Sequence, residues 1–524
     1  VTFKPHLTAE DERQLRERGI SLEEAHRQLA LLASPPPPTR LLRPCTVGDG
    51  IRRIPEADQD RLIRTFQEAV HHGRASRFVP ASGAASRMFQ QLLPWAVEDP
   101  EEEAGDPAAV RRFREQLHRL PFAAPLREAL AGRGLDLQTA SDEDLLRTLL
   151  RPEHLGFANA PKALIPFHRY GESWRTAFAE HLVEGAATLA DADGLCRLHF
   201  TVIPAAEGDF QRHAERAQAE LFGPGSEPRI RFAIDYSAQS PATDTLALGE
   251  DGEPFRRSDG RLLLRPGGHG SLLGNLQGCQ GDLVFIKNID NVVPDARKGP
   301  TLRWKRILGG LIVELEARFQ DLEARLERDA GLADAGLADA GLADEVLAVL
   351  KTELGWTPRT WPAEEAARQA LLLDRLGRPL RVCGVVINTG EPGGGPFWVR
   401  GGDGEAAPQS GEVAAQIVEM AQIDTGDPEQ RAAVAGATHF NPVDLVCTLK
   451  DRHGRPFDLT RFRDPANAFV ARKSHGGRPL LALEHPGLWN GAMARWNTVF
   501  VEVPVETFAP VKTVFDLLRP EHQG

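Results

Sequence analysis

Apolar positions recur at helical spacing over residues 8–33, behind a Thr8-x-x-Asp11 start signal. The run ends in the proline string at 34–40, which enforces an extended connector. A second amphipathic helix is expected over 57–72. Directly after it the period changes: residues 76–81 form a short apolar run that reads as a buried strand. Similar runs follow at 195–204, 229–235, 282–290, 379–389 and 497–504. Helix-like segments lie between most of them, for example 210–222 and 301–329. Strands separated by helices imply a mainly parallel sheet covered on both faces. Residues 90–158 are charged and leucine-punctuated, with an acidic turn at 98–107, and read as a helical insertion. At 331–345 a Gly-Leu-Ala-Asp unit repeats, read as a tolerated surface insertion in preference to a functional spacer.

Composition narrows the class. At 524 residues, 41% hydrophobic and 26% charged, the chain has an ordinary globular balance. Its net charge of −12 argues against a general nucleic-acid or anionic-membrane binder, because phosphate backbones call for a basic footprint. A local pocket of Lys and Arg still suits small anions. The five cysteines are scattered, with no C-x-x-C pair and no zinc spacing. That usage fits reduced, buried thiols and a cytoplasmic protein. The first residues are polar and no apolar run is long enough to span a membrane.

Five stretches carry candidate chemistry. In "FVPASGAASRMF" (78–89) an apolar run breaks into Ser82, Gly83, Ala84 and Ser86 before Arg87 opens an expected helix. Such a junction is either a tight strand–helix turn or an anion cradle of backbone N–H groups. It is not a Walker A or G-x-G-x-x-G motif. In "NAPKALIPFHRYGE" (159–172), Lys162 stands between Pro161 and Pro166, which pin the backbone away from helix. Such a lysine is an exposed loop residue or a point charge for phosphate. In "RPGGHGS" (265–271) the glycines let a flat ligand approach the backbone and His269 reach its edge, unless the cluster is an ordinary loop. In "DLVFIKNIDNVV" (282–293), Asp290 follows a buried strand, where ligand sites of doubly wound sheets lie. Such an Asp can hold Mg²⁺ or cap a helix. In "VFVEVPVETFAPVKTVFDLL" (499–518), Lys512 opens an expected short helix and opposes its dipole, which an anionic partner would rationalise.

The order of these stretches resembles the large UDP-sugar pyrophosphorylases, most closely the UTP–glucose-1-phosphate uridylyltransferases. The matching segments are "PASGAASRM", "PKALIP", "RPGGHGS", "FIKNIDNVV" and "VPVETFAPVKTVFDLL", with "YSAQSP" (236–241) similar to the family's glutamine-bearing strand end. Pro80, Ala81 and Ser82 stand where the family has glycines, and Ser271 where it has Asp. The whole chain also resembles an uncharacterised bacterial family labelled as a domain of unknown function. The first resemblance implies an α/β fold: a Rossmann-like nucleotidyltransferase (GT-A-like) core with a mixed, mainly parallel sheet, a helical N-terminal extension and a helical insertion.

It further implies Mg²⁺-dependent transfer of a nucleotidyl group from an NTP, UTP by the resemblance, to a sugar-1-phosphate, releasing pyrophosphate. Ser82, Gly83, Ala84, Ser86 and Arg87 would hold the leaving phosphates. Asp290 would hold the metal, with Glu502 as a second ligand. Lys162 or Lys512 would clamp the sugar phosphate, and Gln239, Gly268 and His269 would read the base. The alternatives are a related transferase with another phospho-acceptor or CTP, and a non-catalytic nucleotide-sugar-binding or scaffold protein. The expected organisation is an extension at 1–75, a core at 76–330 with the insertion at about 90–158, and a linker at 331–345. An acceptor-side subdomain at 346–480 follows, and a core-completing strand and helix at 481–524. Residues 384–402 and 438–447 are expected to shape the acceptor pocket. The family's C-terminal β-helix is expected to be absent, and the pattern does not specify an oligomeric state.

Overall fold

A computed structural model describes residues 6–96, 106–223, 225, 229–330, 341–391, 393–400 and 412–523. The acidic turn, up to residue 105, and the first repeats at 331–340 lie outside these residues, as do 392 and 401–402 of the glycine-rich stretch. The fold is α/β with a mixed, mainly parallel central sheet. The chain forms two compact units, each threaded from three segments. One comprises 1–62, 239–283 and 308–503, and the other 63–238, 284–307 and 504–524.

In the first unit, Asn497–Glu502 lies between Gly50–Arg52 and Leu380–Ile387, parallel to both, and His439–Thr448 pairs antiparallel to Leu380–Ile387. Leu380–Ile387 is buried at all but its last residue, as the continuous apolar run at 379–389 predicts. Two further antiparallel sheets flank this layer: one of Leu41–Pro44, Gly395–Arg400 and Val413–Val418, the other built on Thr245–Gly249 and Arg478–Glu484. The N-terminal helices Ala9–Glu17 and Leu22–Ala33 cover the latter, packing Leu15, Leu29 and Leu32 on Leu246, Leu248 and Leu483. The Thr8 start signal is a full capping box: Asp11 N–H donates to the Thr8 hydroxyl, and Asp11 Oδ2 accepts the Thr8 N–H at 2.8 Å.

The second unit holds Ala75–Pro80, Leu195–Thr201 and Arg231–Ser237, parallel and adjacent, with residues 284–286 beside Ala75–Pro80. The insertion contributes Pro107–Gln116, Ala123–Gly132 and Asp142–Leu150. Their apolar faces meet around Phe89, Phe113, Phe122 and Phe157, whose rings stack or meet edge-on within 6.2 Å. The insertion is therefore anchored on the segment that follows the small-residue loop.

Four local expectations are corrected. No α-helix opens at Arg87: residues 85–87 make a single 3₁₀ turn, because the backbone there pairs with residues 160–162 instead. Residues 162–164 likewise close one 3₁₀ turn, although the two prolines predict no helical turn. After Lys512 the chain makes only a 3₁₀ turn, Val514–Leu518. The last repeat is not surface filler, since Leu342 and Ala343 are buried in the first turn of the helix Leu342–Leu354.

Candidate functional site

Four of the five stretches meet in the second unit, three of them at one carboxylate. Lys162 Nζ donates to Asp290 Oδ2 at 2.8 Å, and Lys512 Nζ reaches the same oxygen at 3.1 Å. Lys162 also donates to the Val511 carbonyl, and Val511 N–H donates to the Asp290 carbonyl at 3.1 Å. Asp290 is buried and Lys162 nearly so, while the Lys512 side chain is 61% exposed. Burial opposes ionisation of Asp290, but the two ammonium groups outweigh it and hold the carboxyl below its ordinary range. Burial lowers Lys162, and Asp290 offsets only part of that effect.

Asn291 joins the fourth and fifth stretches. Its Nδ2 donates to the Thr507 carbonyl at 3.2 Å and its Oδ1 accepts the Ala509 N–H at 2.9 Å. Asp516 shapes the lysine turn: Oδ2 accepts the N–H groups of Lys512 and Thr513 at 2.8 and 2.7 Å. Behind the strand end, fully buried Glu184 faces Lys287 at 2.8 Å, Arg77 at 3.2 Å and Lys305 at 3.3 Å. Lys287 is two residues before Ile289, whose carbonyl meets His181 Nε2 at 3.3 Å. The segment carrying Asp290 is thus held from below.

The small-residue loop is tied to the Lys162 segment. Lys162 N–H donates to the Gly83 carbonyl and Ala85 N–H to the Ala160 carbonyl, each at 3.0 Å. The backbone N–H groups of Ser82, Gly83 and Ala84 donate to no backbone acceptor among the described residues. Space over Gly83 is open. Arg87 is exposed and makes no ion pair among the described residues, and neither do the Ser82 and Ser86 hydroxyls accept or donate there. The arrangement offers unsatisfied donors and cations to an anion.

The remaining candidates belong to the first unit. His269 Nδ1 accepts the Leu488 N–H at 3.0 Å, which leaves the proton on Nε2, 3.2 Å from Glu419 Oε1. The ring lies 4.4 Å from that of Trp489. Both nitrogens are therefore engaged. Burial opposes ionisation of Glu419, but the hydrogen bond and charge of His269 together with a hydrogen bond from Asn490 outweigh it and lower the carboxyl. The glycines are required by close packing on the chain itself: a Cβ at Gly267 would stand 2.3 Å from His485, and one at Gly270 2.0 Å from the Pro486 carbonyl. Gly268 has φ +80°. Gln239 is half-buried, with no side-chain hydrogen bond among the described residues. Glu502 pairs with Arg53 at 2.7 Å and His439 at 3.4 Å, and its carboxyl is lowered chiefly by the Arg53 hydrogen bond.

The chemistry of Asp290 fits a magnesium ion that keeps waters and substrate oxygens as its other ligands. Oδ2 carries both lysines, whereas Oδ1 accepts no hydrogen bond among the described residues. Those residues contain no group of three or more His, Cys, Asp or Glu placed to hold a metal. Asp516 and Glu419 were not among the sequence candidates. Thr513-x-x-Asp516 is a readable cap signal, but nothing near Glu419 in sequence marks it.

Among the described residues no helix is long and apolar enough to cross a membrane. The family model described as Domain of unknown function (DUF4301) matches residues 8–523. Curated proteins give no sequence match. Among solved structures, the chain is similar to the uridine diphosphate N-acetylglucosamine pyrophosphorylase from Trypanosoma brucei, at 12% identity and a TM-score of 0.45, covering 98% of this chain and 80% of that one. It is also similar to a UDP-glucose phosphorylase from the same organism, at 14% identity and TM-score 0.43, covering 97% and 77%. The UDP-glucose pyrophosphorylase from Leishmania major gives 12% identity and TM-score 0.42, covering 98% and 79%.

Proposed function

The chain belongs to the DUF4301 family, a domain of unknown function, and we propose that it is a nucleotidyltransferase that joins an NTP to a sugar phosphate and releases pyrophosphate. The observation that carries this reading is the convergence of Lys162 and Lys512 on one oxygen of Asp290, with a loop in the same unit whose Ser82, Gly83 and Ala84 N–H groups meet no backbone acceptor among the described residues. Displacement at phosphorus depends mainly on positioning and on neutralising spread negative charge. Two ammonium groups from distant segments, with Arg87 and the N–H groups of Ser82, Gly83 and Ala84, supply that chemistry without any strong base. A sugar phosphate brings its own nucleophilic oxygen.

In this reading the loop from Ser82 to Ser86 and Arg87 hold the phosphates that leave as pyrophosphate. Lys162 and Lys512 hold the acceptor phosphate and the α-phosphate. Asp290 would hold Mg²⁺, which would neutralise phosphate charge when bound. UTP as donor rests on the order of the sequence motifs. The base-reading role of Gln239, Gly268 and His269 belongs to the first unit and is not needed for the phosphate chemistry. Glu502 is committed to Arg53 and His439 and is dropped as a metal ligand.

Pyrophosphate release, assayed with each NTP, Mg²⁺ and a panel of sugar phosphates, is expected to single out one pair. Lys512→Ala, at a mostly exposed position, is expected to keep the fold and lower kcat about a hundredfold. If no NTP raises the melting temperature with Mg²⁺ and no pyrophosphate forms, the transferase reading fails. Nucleotide binding without turnover in any pairing favours a binding protein.

A further inference from the structure

The helical insertion and residues 169–174 border an open cavity of about 510 Å³ in the second unit, a size that suits a small organic ligand. Leu120, Leu137, Leu145 and Trp174 give it an apolar wall. Arg114, Arg127 and Arg169 also line it, against a single acid, Glu172. This local excess of positive charge stands out on a chain of net charge −12. The three arginines differ in availability. Arg114 is engaged by Asp142 and the Ala140 carbonyl, and Arg169 gives Nη1 to the His118 carbonyl at 2.7 Å. Arg127 has no hydrogen bond or ion pair among the described residues.

The cavity shares its walls with the segments that carry both lysines. Along Pro166–Tyr170 side chains alternate sides. His168 and Tyr170 bond buried Glu180 at 2.9 and 2.7 Å, while Arg169 between them lines the cavity. This strand begins four residues after Lys162. Next to Arg169 in the lining stand Leu117, His118 and Leu120, while the intervening Arg119 donates to the Leu518 carbonyl at 3.2 Å. Arg112 lies 4.3 Å from the ring of Phe515. Leu518 and Phe515 belong to the turn that follows Lys512.

We infer that this cavity is a second ligand site, for a small amphiphilic anion, and that its occupancy reaches the segments carrying Lys162 and Lys512. The ligand is a carboxylate, sulfonate or phosphate on an apolar body. Arg127 and the spare nitrogens of Arg169 hold the head group, and the leucines and Trp174 take the body. A charged head group alone would leave the apolar wall unused, and an uncharged body would leave Arg127 unmatched. The inference is independent of the transferase reading, because binding here is measured without turnover.

The probe is 1-anilinonaphthalene-8-sulfonate, titrated into the full chain and followed by fluorescence. One saturable equivalent is expected, with decanoate and 1-naphthyl phosphate as competitors that separate an acyl body from an aryl one. Arg127→Glu removes an exposed guanidinium with no partner among the described residues, so the fold is expected to survive and the probe to bind at least roughly tenfold more weakly. Ala124→Trp, which fills the cavity from Ala123–Gly132, is expected to abolish binding. Circular dichroism checks that both variants are folded. With probe bound, hydrogen exchange is expected to slow at 166–176 and 514–522 in the parent and not in Arg127→Glu. Non-saturating binding, or folded variants whose affinities stay within about twofold of the parent, overturns the site. Saturable binding with unchanged exchange at 166–176 and 514–522 overturns the coupling.

Discussion

A buried carboxylate with two cations is a sensitive arrangement, because removing the shared partner leaves charge with nowhere to go. Asp290→Asn removes the counter-charge bonded to buried Lys162, leaving only the weaker pull of Asp516, and is expected to destabilise the protein by about 3 kcal/mol near neutral pH. Burial already lowers Lys162, so it sheds its proton more readily once Asp290 is gone. The penalty is therefore expected to shrink as pH rises toward 10 or so, the ordinary lysine range. Urea denaturation of parent and variant across that range checks this, and a pH-independent penalty would contradict the assignment. Lys512, mostly solvated, is expected to contribute to ligand binding and little to stability. At this scale the sequence was informative: the residue types, and the prolines and small residues around them, marked Lys162, Asp290 and Lys512. It could not show that both lysines meet one oxygen, since that distance depends on segments 128 and 222 positions apart in the chain.

At the scale of elements, the C-terminal segment is held by a buried chain of polar groups. Glu180 accepts from His168 Nδ1 and from Tyr170, and pairs with Lys298. His168 Nε2 meets His522 Nδ1 at 3.0 Å. With Nδ1–H of His168 given to Glu180, Nε2 accepts, so His522 donates and both rings stay neutral. Burial lowers both histidines, His522 to about 3 from an ordinary 6.5. Arg175, Lys298 and Arg519 also disfavour their protonation, while Glu180, Asp516 and Asp290 oppose that effect. The unfolded chain thus binds more protons than the folded one below about 6.5. The stabilisation is complete above that pH and is lost progressively as pH falls toward 3. His522→Gln keeps a donor to His168 but does not titrate. It is expected to flatten the pH dependence of the urea midpoint between pH 6.5 and 4, the range in which His522 loses its neutral advantage. An unchanged slope would mean the pair does not govern acid stability. Element types were legible wherever a period was sustained, as in Glu56–His71 and Leu380–Ile387. The turns at Arg87 and after Lys512 read locally as helix starts, because their backbone groups pair with distant segments or with Asp516, which local periodicity does not report.

At the scale of the whole molecule, the five cysteines bear on redox behaviour. All are free, and all but Cys279 are buried. Burial pushes Cys196 up to about 12 and Cys383 to about 11, and raises Cys45 and Cys447 as well. A thiol-reactive dye is expected to modify one cysteine quickly in the native protein, Cys279, and all five after denaturation. Reducing agent is expected to leave the melting temperature unchanged. Fast modification of two or more thiols in the native state would contradict this packing.

The sequence by itself determined the alternation of strands and helices, the small-residue loop and the chemistry available at each strand end. These follow from local spacing and residue type, which survive whatever the rest of the chain does. Only the tertiary structure decided which of them meet: the loop with the Lys162 segment, both lysines with Asp290, and His168 with His522. It also showed that the glycines at 267 and 270 accommodate the chain's own residues 485–486. Such meetings arise from the burial of apolar surface over whole units, which brings distant segments together and leaves no mark in either segment alone.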